Sequence, residues 1–326
     1  MQRILLVKTT SLGDVIHCLP AASDIAVHFP RASLDWVVEE TYVDVVRLHP
    51  AVGRVLPVAL RRWRKHLLGR DTRDELIAFR RMLGSEPYDR VIDVQGLIKS
   101  ALLARMARGE HHGLDRASAR EALAALTYQR RHAVPWTLDA VARNRILVGA
   151  ALGYVPRSLP DYGIHVDPGG FDWLAPGRYC VCLTGTTDAA KLWPEERWRE
   201  LGVMINAAGM RCVLSHGTEA EMQRARRLQS VIGDALVTPS LGLSEMARLL
   251  AGATLAVGVD TGLTHLAGAL GRPTIGIYCG TSPRATGVIA ASARNVGDIA
   301  KTPGATAVWQ TACDLLAAAR EARTAL

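Results

Sequence analysis

Three short segments carry residue types suited to holding and transferring charged groups, and each follows an apolar run of strand length. The first, Lys8-Thr9-Thr10-Ser11-Leu12-Gly13-Asp14, follows Ile4-Leu5-Leu6-Val7. It lacks the spacing of a Walker A loop and, with a single glycine, the Gly-x-Gly-x-x-Gly turn of dinucleotide sites. Two readings of Asp14 stand: a carboxylate capping the helix that follows, or a general base kept ionised by that helix N-terminus. The second segment runs from Thr184 through Gly185, Thr186, Thr187 and Asp188 to Lys191 and Pro194. Small hydroxyl residues and glycine let backbone N–H groups approach an anion, and Lys191 adds a point charge, so a phosphate loop stands beside an ordinary solvated loop. The third is Val259-Asp260-Thr261-Gly262-Leu263-Thr264-His265, where N–H groups at a helix start suit a diphosphate. His265 reads as a ligand contact or as a satisfied structural histidine. Asp-Thr-Gly also marks aspartic proteases, but those need two such loops in a mostly β fold.

Two further features carry charge. Glu221, at the start of a helix after the run Arg211 to Ser215, either caps that helix or accepts hydrogen bonds from a ribose diol. The run Arg61-Arg62-Trp63-Arg64-Lys65 sets four cations in five residues with no interleaved acid. It is either a solvated face or a surface for an anionic partner, and self-repulsion favours the partner.

The elements that must position these residues alternate. Apolar strand-like runs at Ile4 to Val7, Leu34 to Val38, Val55 to Val58 and Val91 to Val94 are separated by helical spacing at Val15 to Val27, Thr72 to Leu83 and Leu97 to Met106. The second half repeats the theme. Its strands fall at Tyr179 to Leu183, Arg211 to Ser215, Thr254 to Val259 and Thr274 to Tyr278, and its helices at Pro194 to Ala208, Thr218 to Gln229 and Ser244 to Ala251. This alternation predicts an α/β protein with two Rossmann-like doubly wound domains facing across a cleft. The expected division is 1–155, a Pro- and Gly-rich linker at 156–177, a second domain at 178–305, and a terminal helix at 306–326 packing back on the first domain. Ligands in such folds bind at the carboxyl ends of the strands, where all three loops lie.

With 49% apolar, 21% charged and 5% aromatic residues, the chain has neither a disordered nor a disulfide-stapled composition. Its formal charge of +8 is uneven: residues 1–150 carry +7 and residues 151–326 carry +1. The first half is therefore expected to meet a polyanion. The six cysteines show no metal-ligand spacing and read as reduced packing residues. No signal-peptide pattern and no apolar run long enough to span a bilayer is present, so a cytoplasmic protein is expected.

The segments Lys8 to Val15, Lys191-Leu192-Trp193-Pro194 and above all Val259 to Ala267 resemble the glycosyltransferase family 9 heptosyltransferases, and the likeness in length and motif order runs from end to end. Within the family, Arg61-Arg62-Trp63-Arg64-Lys65 and Val91-Ile92-Asp93-Val94-Gln95-Gly96-Leu97-Ile98-Lys99 resemble the members that add the first heptose to lipopolysaccharide. The resemblance implies the GT-B fold and an inverting transfer, without metal or cofactor, from ADP-L-glycero-β-D-manno-heptose to Kdo-bearing lipid A. It implies Asp14 as the general base and Lys191 as the second catalytic group. Thr186, Thr187 and Lys191 would contact the donor phosphates, Glu221 (or Glu219) the ribose, and Asp260, Thr261, Gly262, Leu263 and His265 would hold the donor. Arg61, Arg62, Arg64, Lys65 and Arg120 match the acceptor-binding positions. A monomer at the cytoplasmic face of the inner membrane, held by its anionic surface, is the expected state.

Three rivals remain. The first is a non-catalytic nucleotide-sugar or nucleic-acid binding module; a nucleic-acid module should interleave its basic patch with exposed aromatics, but residues 54–81 hold only Trp63 and Phe79, so no nucleic-acid partner is expected. A nicotinamide dehydrogenase needs the glycine turn that neither half supplies. A sister family member acting on an already heptosylated core would look alike in its catalytic parts.

Overall fold

In the computed structural model, which describes residues 2–66, 69–156 and 159–324, the chain divides into two units, Met1–Ile164 and His165–Leu326. The first contains strands β1 (Arg3–Val7), β2 (Ser33–Glu39), β3 (Val52–Val58), β4 (Arg90–Asp93), β5 (Glu110–Leu114) and β6 (Arg130–His132). Its helices are α1 (Leu12–Ile16), α2 (Leu19–His28), α3 (Val43–Arg47), α4 (Leu60–Trp63), α5 (Arg70–Gly84), α6 (Ile98–Ala104) and α7 (Ala140–Leu152). The second contains β7 (Tyr179–Leu183), β8 (Arg211–Leu214), β9 (Ala235–Val237), β10 (Leu255–Val259), β11 (Thr274–Tyr278) and β12 (Ala293–Gly297). Its helices are α8 (Glu195–Ala207), α9 (Glu219–Val231), α10 (Leu243–Gly252), α11 (Gly262–Ala269), α12 (Pro283–Thr286) and α13 (Ala305–Thr324).

Each unit is built on one parallel sheet, ordered β3-β2-β1-β4-β5-β6 in the first and β12-β11-β10-β7-β8-β9 in the second. Counted from the first strand of each unit, the two orders are the same. In both, the crossovers reverse direction beside the first strand, between β1 and β4 and between β7 and β10. Central strands covered on both faces read as continuous apolar runs, which is why Ile4 to Val7 and Leu255 to Val259 are buried without alternation.

Several elements differ from expectation for identifiable reasons. The helix expected over Val15 to Val27 is two helices, because Pro20 in the first turn of α2 fits a helix start and not an interior. Strands β5 (Glu-His-His-Gly-Leu) and β6 (Arg-Arg-His) escape apolar patterning, since their polar side chains satisfy one another: His112 Nδ1 lies 3.0 Å from His132 Nε2. The expected linker at 156–177 is divided between the units. Tyr162 and Ile164 are buried in the first, whereas Phe171, in the second, lies under the Arg248 guanidinium. Residues 157 and 158 of that segment lie outside the described residues, as do positions 1, 325 and 326 of the expected domains.

Helix α13 packs on α8, β11 and β12 of its own unit. Ala305, Val308, Ala312 and Leu315 fall at helical spacing along one face and are buried in a core with Trp193, Trp198, Leu201 and Ile205. The indoles of Trp193 and Trp198 meet edge to face, with centroids 5.1 Å apart. The same core takes in Cys180, Cys182, Cys212 and Cys279, while Cys18 is buried in the first unit. Burial pushes the Cys18 thiol up to about 12.

Gly258 in β10 allows the close approach that seats the third loop. A Cβ there would overlap Thr264 Oγ1, which donates to the Val259 carbonyl at 2.7 Å, and would crowd Leu183 across the sheet. Gly258→Ala is therefore expected to lower stability by about 1–3 kcal/mol, read as a fall in midpoint in denaturant unfolding.

Candidate active site

The second unit's site begins at its switch point. Pairing of Gly258 with Leu183 sets the loops after β10 and β7 side by side. Asp260, the first residue after β10, is only 7% exposed, so its carboxylate must find donors within the protein. Oδ2 accepts from Lys191 Nζ at 2.8 Å and from Thr281 Oγ1 at 2.7 Å, and Oδ1 lies 3.5 Å from His265 Nε2. Burial pushes this carboxyl up, but bonds from His265, Lys191 and Thr281 outweigh it and hold the group well below the usual carboxylate range. Thr186 Oγ1 donates to the Asp260 carbonyl at 3.3 Å, tying the β7 loop to the same point. Lys191 closes a short 3-10 turn whose Ala190 N–H is capped by Asp188, and the Trp193 indole beyond it is fixed on the Pro303 carbonyl.

Thr261 is the extended N-cap of α11, so the N–H groups of Gly262 and Leu263 belong to a first turn that has no intrahelical acceptors. Asp260, Thr261, Gly262 and Leu263 lie with Lys191, Thr186 and His265 in one cluster, and Thr187 is exposed on the β7 loop.

Glu221 is both a cap and a neighbour of that loop. Its Oε2 accepts from Gly217 N at 2.7 Å and Thr218 N at 3.1 Å, completing a capping box at the start of α9. The carboxylate also rests against Gly185, where a Cβ would overlap it. Glu219 points elsewhere, accepting from Gln223 Nε2 at 3.2 Å. The geometry thus brings Glu221, and not Glu219, to the site.

In the first unit, pairing of Val7 with Asp93 sets residues 8–14 beside residues 94–99. Asp14 Oδ2 accepts from Ser11 N at 2.9 Å and Ser11 Oγ at 3.1 Å, so the capping role is real. Burial raises the Asp14 carboxyl, but the Lys8 ammonium, the Ser11 N–H, Arg120 and His17 together bring it below its ordinary value. Asp14 is thus held below the ordinary carboxylate range while serving as a cap.

The loop under it depends on Gln95, which sequence reasoning left without a role. Its Oε1 accepts from Thr9 N at 3.0 Å and Thr10 N at 3.2 Å. Buried Asp93 holds Gln95 in turn through its backbone N–H at 2.8 Å, and also accepts from Ser100 Oγ and Tyr128 OH. Thr281 was missed as well. It follows β11 in a Cys-Gly-Thr-Ser-Pro turn, so the rule of searching loops after strands reaches it.

The basic run has partners that its sequence neighbourhood does not show. Arg62 pairs with Glu75 at 2.8 Å and Glu40 at 3.1 Å, and the buried Trp63 donates to Glu75 at 2.5 Å. Acids distant in sequence therefore brace the run, and self-repulsion does not by itself demand an external anion. Arg61 donates to Tyr42 OH at 2.9 Å and lies over that ring, while Arg61, Arg64, Lys65 and Arg120 are exposed.

Two parallel sheets of one strand order, each with charged loops at its switch point, define the α/β class that includes the GT-B glycosyltransferases. The profile of glycosyltransferase family 9 (heptosyltransferase) matches residues 76–313. The chain is 46% identical over 303 residues to lipopolysaccharide heptosyltransferase 1 of Pseudomonas aeruginosa, covering 90% of this chain and 83% of that protein. It is 46% identical over 286 residues to the protein so named in Escherichia coli K12, covering 86% and 89%. Among solved structures, the E. coli heptosyltransferase WaaC with ADP matches with a TM-score of 0.89 at 41% identity, over 96% of this chain and all of that one. E. coli ADP-heptose lps heptosyltransferase II, at 19% identity and a TM-score of 0.79, shares the fold. This chain belongs to glycosyltransferase family 9, the heptosyltransferases, and is a glycosyltransferase of GT-B fold.

The Asp260 cluster has a signed pH consequence. A carboxyl held below its ordinary value of 3.8 stabilises the folded state above that value, and the contribution is lost as pH falls below it. Asp260→Asn is expected to destabilise the protein at pH 7, with the gap from wild type narrowing at pH 3.5, in urea unfolding at both values. A gap that does not narrow would show that the carboxylate's charge is not what is held.

Proposed function

We propose that this glycosyltransferase moves L-glycero-D-manno-heptose from ADP-heptose to the Kdo of lipid A, the first heptose of the lipopolysaccharide inner core. Inversion at the anomeric carbon and independence from metal ions are part of the reading. The observation that carries it is the 46% identity to lipopolysaccharide heptosyltransferase 1 over 90% of the chain. The family profile spans the whole second loop set from Thr186 to Thr281, and the solved WaaC structures hold ADP and ADP-2-deoxy-2-fluoro heptose.

The reaction divides between the units. Asp14 accepts the proton of an acceptor hydroxyl while that oxygen attacks the anomeric carbon opposite the leaving diphosphate, through an oxocarbenium-like state. The bond from C1 to the diphosphate oxygen breaks, and its electron pair leaves with ADP. Lys191 and the first-turn N–H groups of α11 meet that developing charge, a role a metal ion fills in other transferases. Asp260, itself braced by His265 and Thr281, holds Lys191 in place before the diphosphate arrives, so little reorganisation is needed during the reaction. Thr186, Thr187, Thr261, Gly262 and Leu263 line the same anion, and Glu221 receives the ribose diol. Arg61, Arg64, Lys65 and Arg120 take the acceptor's phosphates and Kdo carboxylates, with Arg62 bracing the run through Glu40 and Glu75.

A first unit carrying +7 suits an acceptor in an anionic leaflet. Among the described residues no helix is long and apolar enough to cross a membrane. On this reading a monomer works at the cytoplasmic face of the inner membrane, in reversible and salt-sensitive association.

Mass analysis of lipid A bearing Kdo, after incubation with ADP-heptose and the protein in EDTA, is expected to show a gain of one heptose. Transfer only to an already heptosylated core would replace the acceptor and keep the residue roles. Transfer to neither would end the reading. Asp14→Ala is expected to cut kcat at least 100-fold while leaving ADP affinity nearly unchanged, and retention of a tenth of the rate would remove Asp14 from the role. Lys191→Ala is expected to cost about 3 kcal/mol of barrier. Neutralising Arg61, Arg64 and Lys65 together should raise the acceptor KM far more than the donor KM, and equal changes would argue for a structural role.

A further inference from the structure

The first unit presents an apolar face beside the Asp14 loop that the transfer chemistry does not use. Ile98 and Leu102, one helical turn apart on α6, are 40% and 56% exposed. Leu123 and Leu126, on a 3-10 helix at Ala122–Thr127, are each 59% exposed. Residues three apart in a 3-10 helix share a face, as do residues four apart in an α-helix. The two elements pack on each other through Ala101, Ala124, Ala125 and Tyr128, and Glu121 Oε2 accepts the Ile98 N–H at 2.6 Å. Small residues thus fill the seam while four large aliphatic side chains stand outside it. Among the described residues no other helical element exposes two large apolar side chains. Other such exposures on helices, as at Val27, Val203 and Val231, are single and need no explanation.

The surroundings of this face are basic. Lys99 and Arg105 are exposed on or beside α6, and Arg116 and Arg120 are exposed in the segment before the 3-10 helix. Lys99 Nζ donates to Thr10 Oγ1 at 3.4 Å, and Arg120 acts on the Asp14 carboxylate. Aliphatic side chains rimmed by cations match the interface of an anionic bilayer, where apolar groups enter the acyl boundary and cations meet headgroup phosphates. A water-soluble acidic protein would meet the cations but leave the four aliphatics without a partner.

We propose that the face formed by Ile98, Leu102, Leu123 and Leu126 inserts shallowly into an anionic lipid surface, bringing Asp14 to a sugar anchored in that surface. The docking rests on the chain's own surface. Its value for presenting acceptor rests on the transferase reading above, and the test separates the two.

The probe is sedimentation with vesicles of phosphatidylglycerol and phosphatidylethanolamine, compared with neutral phosphatidylcholine vesicles, at 0.05 and 0.5 M NaCl. Wild type should bind the anionic vesicles and keep a salt-resistant fraction at 0.5 M, since inserted aliphatics are not screened. The variant Leu102→Ser/Leu123→Ser/Leu126→Ser should lose that fraction and partition at least tenfold less, with an unchanged unfolding midpoint because the sites are exposed. Its heptose transfer to a deacylated, soluble Kdo acceptor should match wild type, while transfer to acceptor embedded in vesicles should fall at least tenfold. Equal vesicle binding by wild type and variant, or wild-type binding abolished at 0.5 M NaCl, would overturn the proposal. So would a dimer of the wild type that the variant converts to monomers with no change in lipid binding. No transfer by either protein to either acceptor would sink the transferase reading, while the sedimentation result still decides the docking surface.

Discussion

Where the crossovers of a parallel sheet reverse direction, the loops on either side part, and the backbone groups in the gap lose their ladder partners. In both units a side chain from beyond the strand across the gap ties the two loops together. In the first, Gln95 after β4 supplies one carbonyl oxygen to the N–H groups of Thr9 and Thr10 after β1. In the second, Asp260 after β10 supplies a carboxylate to Lys191 after β7, with Thr281 after β11 on the same oxygen. The difference in charge fits the proposed roles. A neutral amide fixes the loop that carries the proposed base, Asp14, and adds no charge beside it. A carboxylate fixes the loop that carries Lys191, the cation proposed to meet the diphosphate.

The same comparison shows how one side chain serves fold and chemistry together. Asp14 and Glu221 are both third residues of capping boxes, so each is held by the backbone it caps. For such residues a capping role does not exclude the proposed functional one. A cap orients a carboxylate and gives it donors without placing it in a hydrophobic interior, and these are conditions a base or a ribose acceptor needs.

Legibility in the sequence followed burial and charge. Strands β1 and β10, covered on both faces, announce themselves as unbroken apolar runs, and the loops after them were therefore found. Strands β5 and β6 were invisible because their polar side chains are paired across strands in ways that sequence spacing does not encode. The bracing of Arg62 by Glu40 and Glu75 was missed for a similar reason. The acids lie 22 and 13 residues away and are brought near by β2 and α5.

The cysteines, read in the sequence as mere packing, have a further meaning once placed. Cys180 of β7 pairs in register with Cys212 of β8, and Cys182 lies two residues along, so three thiols share the interior of one sheet. Hydrogen bonding to Cys180 and burial hold Cys182, and hydrogen bonding to Cys182 and burial hold Cys212, far above their ordinary value, and Cys18 is raised by burial in the other unit. A protonated, buried thiol is a poor nucleophile. Buried and protonated, these thiols are expected to react with oxidants and alkylating reagents far more slowly in the folded chain than in molecules that have lost their fold.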